Sequence, residues 1–427
     1  MKDEDSTQMA HLAAVSSLNK GLGFVDPAFD TAEVAQLHWN LLREDLSLPA
    51  AVLYEEKLQN NLRWMQEFIS AYGVQIAPHG KTTMAPKLFE RQLQAGAWGI
   101  TLATAHQTQV AYAHGVRRIL MANQLIGKEN CAIIARLLRD PAFEYYCLVD
   151  SADQVAQLGA FFAHRGQRLR VLLELGVPGG RAGVRDDGQL QAVLDALTQR
   201  RESIALSGVE MYEGVLDDEV SVRVFLDRAV AVTRKLAAEK RFQRAPILLS
   251  GAGSGWYDVV AEVFTAAGFG DAVEIVLRPG CYLTHDVGAY RDAQAKILER
   301  NAVARRMNSG LLPALHVWAY VQSIPEADKA IIGMGRRDAA FDSGLPVPAL
   351  HFRPGRDVAP NGVPAHWNVT KMMDQHAYLR ISPQDDLRVG DMMGFDICHP
   401  CLTFDKWRCL PVLNAEYQVI DLVQTFF

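Results

Sequence analysis

The 427-residue chain has only six cysteines, too few to staple so long a sequence with disulfides. It has no apolar run approaching the roughly 18 residues of a membrane-spanning helix. It has no surplus of positive charge: 43 Lys and Arg stand against 49 Asp and Glu, a formal charge of −6 with a pI near 6.1. That balance gives no field to neutralise a nucleic-acid backbone, so a nucleic-acid partner is excluded. The first residues, MKDEDSTQ, are acidic where a secretory leader is basic and then apolar, which reads as cytoplasmic. There is no internal repeat, low-complexity tract or flexible linker. What is present is ordinary globular composition, 49% hydrophobic and 22% charged, enough for a sizeable core.

Between residues 57 and 290 short β-branched runs alternate with stretches at helical spacing, the pattern of βα units. The runs are VQIA (74–77), GITLA (99–103), RILMA (118–122), YYCLV (145–149), RVLLEL (170–175), LSGVEM (206–211), PILLS (246–250) and EIVLRP (274–279). Before them Leu58, Leu62, Met65, Phe68, Ile69 and Tyr72 form one apolar helix face. Eight strands alternating with helices predict a closed (β/α)8 TIM-like barrel over residues 48–290, with chemistry at the C-terminal strand ends. Residues 1–47 read as an extension containing a helix-like segment with Val34, Leu37, Leu41 and Leu42. Residues 291–427 read as a C-terminal β domain, joined through a charged, helical boundary near 290–310. The fold class is α/β plus β.

Several strand ends carry groups suited to catalysis. Ala77-Pro78-His79-Gly80-Lys81-Thr82-Thr83 puts a lysine at the barrel mouth. GKT invites a phosphate-loop reading, but that motif has four residues between its glycines, and Gly73 and Gly80 enclose six. The remaining readings are a solvated loop lysine or a Schiff-base lysine, whose amine must be partly desolvated. Ser250-Gly251-Ala252-Gly253-Ser254-Gly255 follows the seventh strand and precedes a helix, where glycines expose N–H groups to an anion; the alternative is tight loop geometry alone. Arg181 in GGRAGV, with Glu210, Tyr212 and Glu213 in GVEMYEG, are either surface polarity or groups around a ring-shaped cofactor.

Three of the six cysteines, Cys398, Cys401 and Cys409, crowd the C-terminal end. Cys398-His399-Pro400-Cys401 read as CxxC lacks the βαβ setting of a thioredoxin redox pair. Read as His-x-Cys in an extended segment, residues 399 and 401 project to one face and share a cation, for which thiolate and imidazole select Zn²⁺. A buried cysteine beside a satisfied histidine is the third reading.

Taken together, from LSLPAAVLYEEKLQNN to HPCLTFDKW, the chain resembles the alanine-racemase-like, fold-type III pyridoxal-phosphate (PLP) enzymes, and within them the D-serine dehydratase and D-threonine aldolase group. The resemblance implies that Lys81 in the PHxKT segment is the Schiff-base lysine with His79 beside it, and that Arg181 approaches the cofactor's phenolic oxygen. It implies that Ser250, Gly251, Gly253 and Ser254 form the phosphate turn, and that Gly280 and Tyr282 of LRPGCYLTHD lie on the phosphate side. It further implies Tyr212 as a cofactor contact, Asp374 and His376 in TKMMDQHAYL as substrate contacts, and Met372 beside them as a cofactor or substrate contact. The HPC segment resembles the zinc pair of the dehydratases, here His399 and Cys401, where the aldolases have His-x-Asp. The implied activity is PLP- and zinc-dependent β-elimination of water from a D-hydroxyamino acid, giving a 2-keto acid and ammonia, in a homodimer whose barrel meets the partner's β domain. Retro-aldol cleavage to glycine and an aldehyde, racemisation, and a non-catalytic PLP carrier are the alternatives. The chain departs from the family's RPHxKTHK at Ala77 and Thr83.

Overall fold

The computed structural model describes residues 14–16, 18–25 and 29–427. The acidic start of the chain lies outside the described residues. Among these residues no helix is long and apolar enough to cross a membrane.

All eight predicted barrel strands form, as Gln75–Ile76, Ile100–Leu102, Arg118–Gln124, Glu144–Val149, Leu169–Leu175, Ile204–Met211, Ile247–Gly251 and Val273–Leu277. They pair parallel in sequence order, and the last strand pairs with the first through Val276 and Gln75. The first and second strands close the ring beyond their ends: Trp98 N–H donates to the Ile76 carbonyl at 2.8 Å and Thr101 N–H to the Pro78 carbonyl at 2.9 Å. The helix Glu55–Tyr72 buries Leu58, Leu62, Met65, Phe68 and Ile69, with Trp64 widening the predicted face. It stops at Gly73, whose φ of +65° suits glycine and lets its N–H return to the Ile69 and Ser70 carbonyls. The loops after four strands end in Thr104, Ser151, Asp186 and Asp218, each side chain capping the next helix. That arrangement turns the chain sharply from strand end to helix, leaving the strand ends open at the mouth.

The charged boundary is helical, Ala289–Arg300 followed by Ala302–Arg306. Beyond it lies an antiparallel sheet whose longest strand, Leu315–Glu326, pairs with Met392–Asp396 and Lys329–Ile332. One strand joins it from far away. Ala50–Tyr54, placed by the sequence division in the barrel segment, pairs antiparallel with Leu315–Glu326 and parallel with Cys409–Leu413. All five of its residues are buried because both faces are covered: Ala51 and Leu53 enter the main core, while Ala50, Val52 and Tyr54 pack against the N-terminal extension.

The extension differs from the single helix expected. Two 3₁₀ segments, Thr31–Leu37 and Leu41–Arg43, are separated by His38, at φ +51°, and by Asn40, whose side chain caps the second. Val34 and Leu41 are buried against Trp39, Trp318 and Phe352.

Candidate active site

Lys81 sits in the short turn Gly80–Thr82 directly after the first strand, at the barrel mouth. Its side chain keeps solvent contact, yet the surrounding protein desolvates the ammonium and lowers its pKa; the nearby Cys401 and Cys281 oppose that shift, and Arg181 reinforces it. Burial holds the His79 imidazole well below its usual pKa, with the charges of Lys81, Arg278 and Arg181 adding, so His79 is neutral. Its Nδ1 is buried and without a partner. Gly280 lies so close to this turn that a Cβ there would stand 2.8 Å from the His79 carbonyl and from Thr82 Oγ1. The Arg181 guanidinium lies over the Tyr212 ring, 4.6 Å from its centroid.

The glycine turn is arranged differently from the expectation. Ser250 is buried with its hydroxyl committed: it donates to the Val276 carbonyl at 2.9 Å and accepts from Arg278 Nε at 3.1 Å. Gly251 is buried in the strand itself. The N–H groups of Ala252 and Gly253 donate at 3.1 and 2.6 Å to the buried Glu213 carboxylate. What remains at the opening is Ser254, whose Oγ accepts from Cys281 N–H at 3.2 Å and keeps its own proton to give, and the backbone that follows it. At Gly253 a Cβ would reach 2.9 Å from the Tyr212 ring, so glycine lets the loop pass the aromatic group.

Below the mouth, Arg278 forms a buried ion pair with Glu210 and also donates to the Met211 carbonyl at 3.0 Å. Glu174, hydrogen-bonded by Gln124, is pushed up to about 8 by burial and by the charge of Glu210.

The C-terminal turn comes to the same place. Cys401 Sγ lies 3.5 Å from Thr82 Oγ1 and 3.9 Å from Cys281 Sγ. The Cys401 thiol is pushed down to about 4, first by its hydrogen bond with Cys281 and then by His399 and Thr82. His399 is pushed up to about 9 by Cys401, and its Nδ1 is 2.7 Å from the Asp342 carboxylate. The segment is not extended as expected. Pro400, at φ −58° and ψ −42°, caps a helical turn, Cys401–Phe404, so His399 and Cys401 approach each other around that turn and not along one face of a strand. Among the described residues no group of three or more His, Cys, Asp and Glu stands ready around a single metal position.

The remaining expected contacts are placed as follows. The Tyr282 ring is buried in the core, its hydroxyl accepting from Gln92 at 3.2 Å. Asp374 and His376 occupy an exposed hairpin between Asn368–Met372 and Ala377–Arg380, where Asp374 faces Arg337 at 3.6 Å; Met372 is buried at its base. Thr82, Cys281 and Asp342 join the site without having been assigned to it, and Glu213, expected only among groups around a cofactor, holds the glycine loop. Their partners lie tens to hundreds of residues away, and only the family segments containing Thr82, Glu213 and Cys281 gave any signal. The barrel and the C-terminal sheet meet at Thr82 and Cys401 within one chain, so the approach of lysine and cysteine needs no second subunit.

A family profile described as the N-terminal domain of alanine racemase matches residues 54–272, just over half of the chain. The chain belongs to this family. It is a PLP-dependent lyase of the fold-type III group that contains the D-serine dehydratases and D-threonine aldolases, and a second profile, described as a serine dehydratase domain, matches residues 314–413. The lyase is similar to a D-threonine aldolase of Arthrobacter sp, 26% identical over 78% of this chain and 80% of that protein. It is also similar to a D-threo-3-hydroxyaspartate dehydratase of Delftia sp. (strain HT23), 27% identical over 49% and 55%. The solved D-threonine aldolase of Filomicrobium marinum shares its fold, with a TM-score of 0.73 and 20% identity over 91% of this chain and 96% of that one. The lyase's own mouth fits the cofactor: a partly desolvated lysine, an unpartnered imidazole nitrogen, and glycines at 253 and 280 where side chains would close the cradle.

Proposed function

We propose that the chain is a PLP- and zinc-dependent D-hydroxyamino acid dehydratase, removing water from a substrate of the D-serine type to give a 2-keto acid and ammonia. The observation that carries this reading is the position of Cys401, whose sulfur packs on Thr82, the residue next to Lys81. A β-hydroxyl is a poor leaving group, and a soft donor pair beside the lysine is where a cation that assists its departure belongs. Relatives support it. A Cys-to-Ala variant of the D-threo-3-hydroxyaspartate dehydratase is described as metal-free, and the intact enzyme shares this fold at a TM-score of 0.70.

Bound PLP would supply an electron sink for charge developing at the substrate Cα. Zn²⁺ held by His399 and Cys401 would supply Lewis acidity toward the β-hydroxyl; a thiolate and an imidazole suit that ion, and the Asp342 contact on Nδ1 holds the ring and leaves Nε2 as the nitrogen that would serve it. Lys81 has two tasks, to hold the cofactor and, once freed, to take the Cα proton on Nζ; its lowered pKa favours the neutral amine that the second task needs. Ser254 Oγ, which accepts from Cys281 N–H, would donate to the cofactor's phosphate, and Glu213 fixes the loop that presents it. Arg181, stacked on Tyr212, lies at the ring side. His79, neutral and buried, completes the wall of the cradle. The enzyme acts on a small amino acid in the cytoplasm, as a homodimer.

Retro-aldol cleavage to glycine and an aldehyde is the second reading, favoured by the extent of the match to the aldolase. Incubation of the purified protein with D-serine and D-threonine, with and without a chelator, separates the two. Chelator-sensitive 2-keto acid is the expected product, and glycine with an aldehyde overturns the dehydratase assignment.

A further inference from the structure

Cys281 has no place in the scheme above. It lies just past the last barrel strand, buried, with 4% of its surface exposed. Its Sγ touches two polar groups: Cys401 Sγ at 3.9 Å, from a residue 120 positions away, and Thr82 Oγ1 at 3.9 Å. The other free cysteines are differently placed. Cys398 gives its proton to the Leu345 carbonyl at 3.2 Å, while Cys131 and Cys147 lie in the main core and Cys409 in the N-terminal cluster. Only Cys281 and Cys401 bring two sulfurs together at the mouth.

The spacing has a chemical meaning. Two sulfurs each bound at about 2.3 Å to one tetrahedral cation stand about 3.8 Å apart. Van der Waals contact gives a similar distance, so the separation alone does not decide, but the surroundings do. Cys281 has no carbonyl acceptor, it faces the residue already assigned to a cation, and the third donor of a tetrahedral set is beside Cys401 in His399.

We propose that Cys281 is a second sulfur ligand, so that a soft divalent cation binds between Cys281 and Cys401 with His399 as nitrogen donor and one position left for the substrate oxygen. The proposal rests on the metal reading given under Proposed function and adds a ligand to it. The sulfur pair is already in place, and the His399 ring, about a quarter exposed, is held by Asp342 next to Cys401; among the described residues no finished cluster of three surrounds one position. Binding replaces the Cys281 thiol proton and one His399 ring proton with the cation and releases both to solvent. A dithiolate–imidazole set excludes Mg²⁺ and Ca²⁺, which take oxygen ligands, and favours Zn²⁺.

Zinc-edge X-ray absorption on the zinc-loaded holoenzyme counts the sulfurs directly and needs no turnover. Two sulfur scatterers at about 2.3 Å are expected in the wild type and one in Cys281→Ser, whose zinc affinity in chelator competition falls at least about tenfold. Cys398→Ser keeps both sulfurs. The PLP absorbance of each variant reports that the barrel is folded, and Cys281→Ala serves if the serine variant loses it. One sulfur in the wild type, or an unchanged count in Cys281→Ser, overturns the second ligand while leaving a His399–Cys401 site standing. A holoenzyme that takes up no zinc overturns the metal reading itself, and this ligand with it.

Discussion

In the barrel each strand pairs with the strands next to it in sequence, whereas the C-terminal sheet runs its strands out of order and takes in Ala50–Tyr54 from the far side of the barrel. The active site inherits that contrast. Its cofactor side is assembled from strand ends, each close in sequence to the strand that positions it. The side proposed to hold the metal is brought together by a turn near residue 400 that folds back onto residues 82 and 281. Local order makes the first side readable as motifs, and long-range closure makes the second visible only in the fold.

Substitutions separate the two sides. Lys81→Ala strikes the cofactor side and carries the largest effect: turnover falls by about a thousandfold or more, and PLP becomes removable by dialysis, as absorbance after gel filtration shows. Cys401→Ala strikes the other side. Elimination is expected to fall by roughly a hundredfold with the cofactor spectrum unchanged and the zinc content reduced; a spectrum that changes with it would show that the sides are not separable. Glu213→Ala removes the acceptor of two loop N–H groups on the cofactor side. PLP affinity measured by absorbance titration should weaken by roughly tenfold, the equivalent of about 1.4 kcal/mol.

The legibility of the chain follows the same division. The eight barrel strands and the helix face from Leu58 to Ile69 were readable because period and spacing are local properties. The position of Lys81 in the turn after the first strand, and so at the barrel mouth, was readable from a short motif. Ala50–Tyr54 was not assigned to its sheet, because an unalternating buried run says nothing of where its partners are. The segment around His399 was misread as extended, since a proline after histidine is compatible with a strand end or a helix start until its φ and ψ are known. The Tyr282 ring packs in the core with its hydroxyl on Gln92, which the motif does not tell, because a motif fixes a residue's position in the chain and not the direction of its ring.

Smaller effects sharpen the comparison away from the chemistry. Leu41→Ala empties a fully buried position in the cluster that covers Ala50–Tyr54. A loss of about 2–4 kcal/mol in denaturant unfolding is expected, with turnover at 25 °C unaffected. The smallest effect concerns pH. Glu174 holds its proton more tightly folded than unfolded, so the stability it contributes is complete below about 4.3, the unfolded pKa, and is lost as pH rises toward 8. Glu174→Gln removes this dependence. The melting temperature of the wild type should fall more between pH 5 and pH 8.5 than that of the variant, by a few degrees.

Ala50–Tyr54 also has a history on the ribosome. Its antiparallel partner, Leu315–Glu326, is made some 260 residues later. At bacterial or eukaryotic synthesis speeds that interval is roughly 15–50 s, far longer than a strand needs to pair. For that time AAVLY is without its antiparallel partner while all eight barrel strands are made, so this part of the C-terminal sheet closes only after the whole barrel has been synthesised.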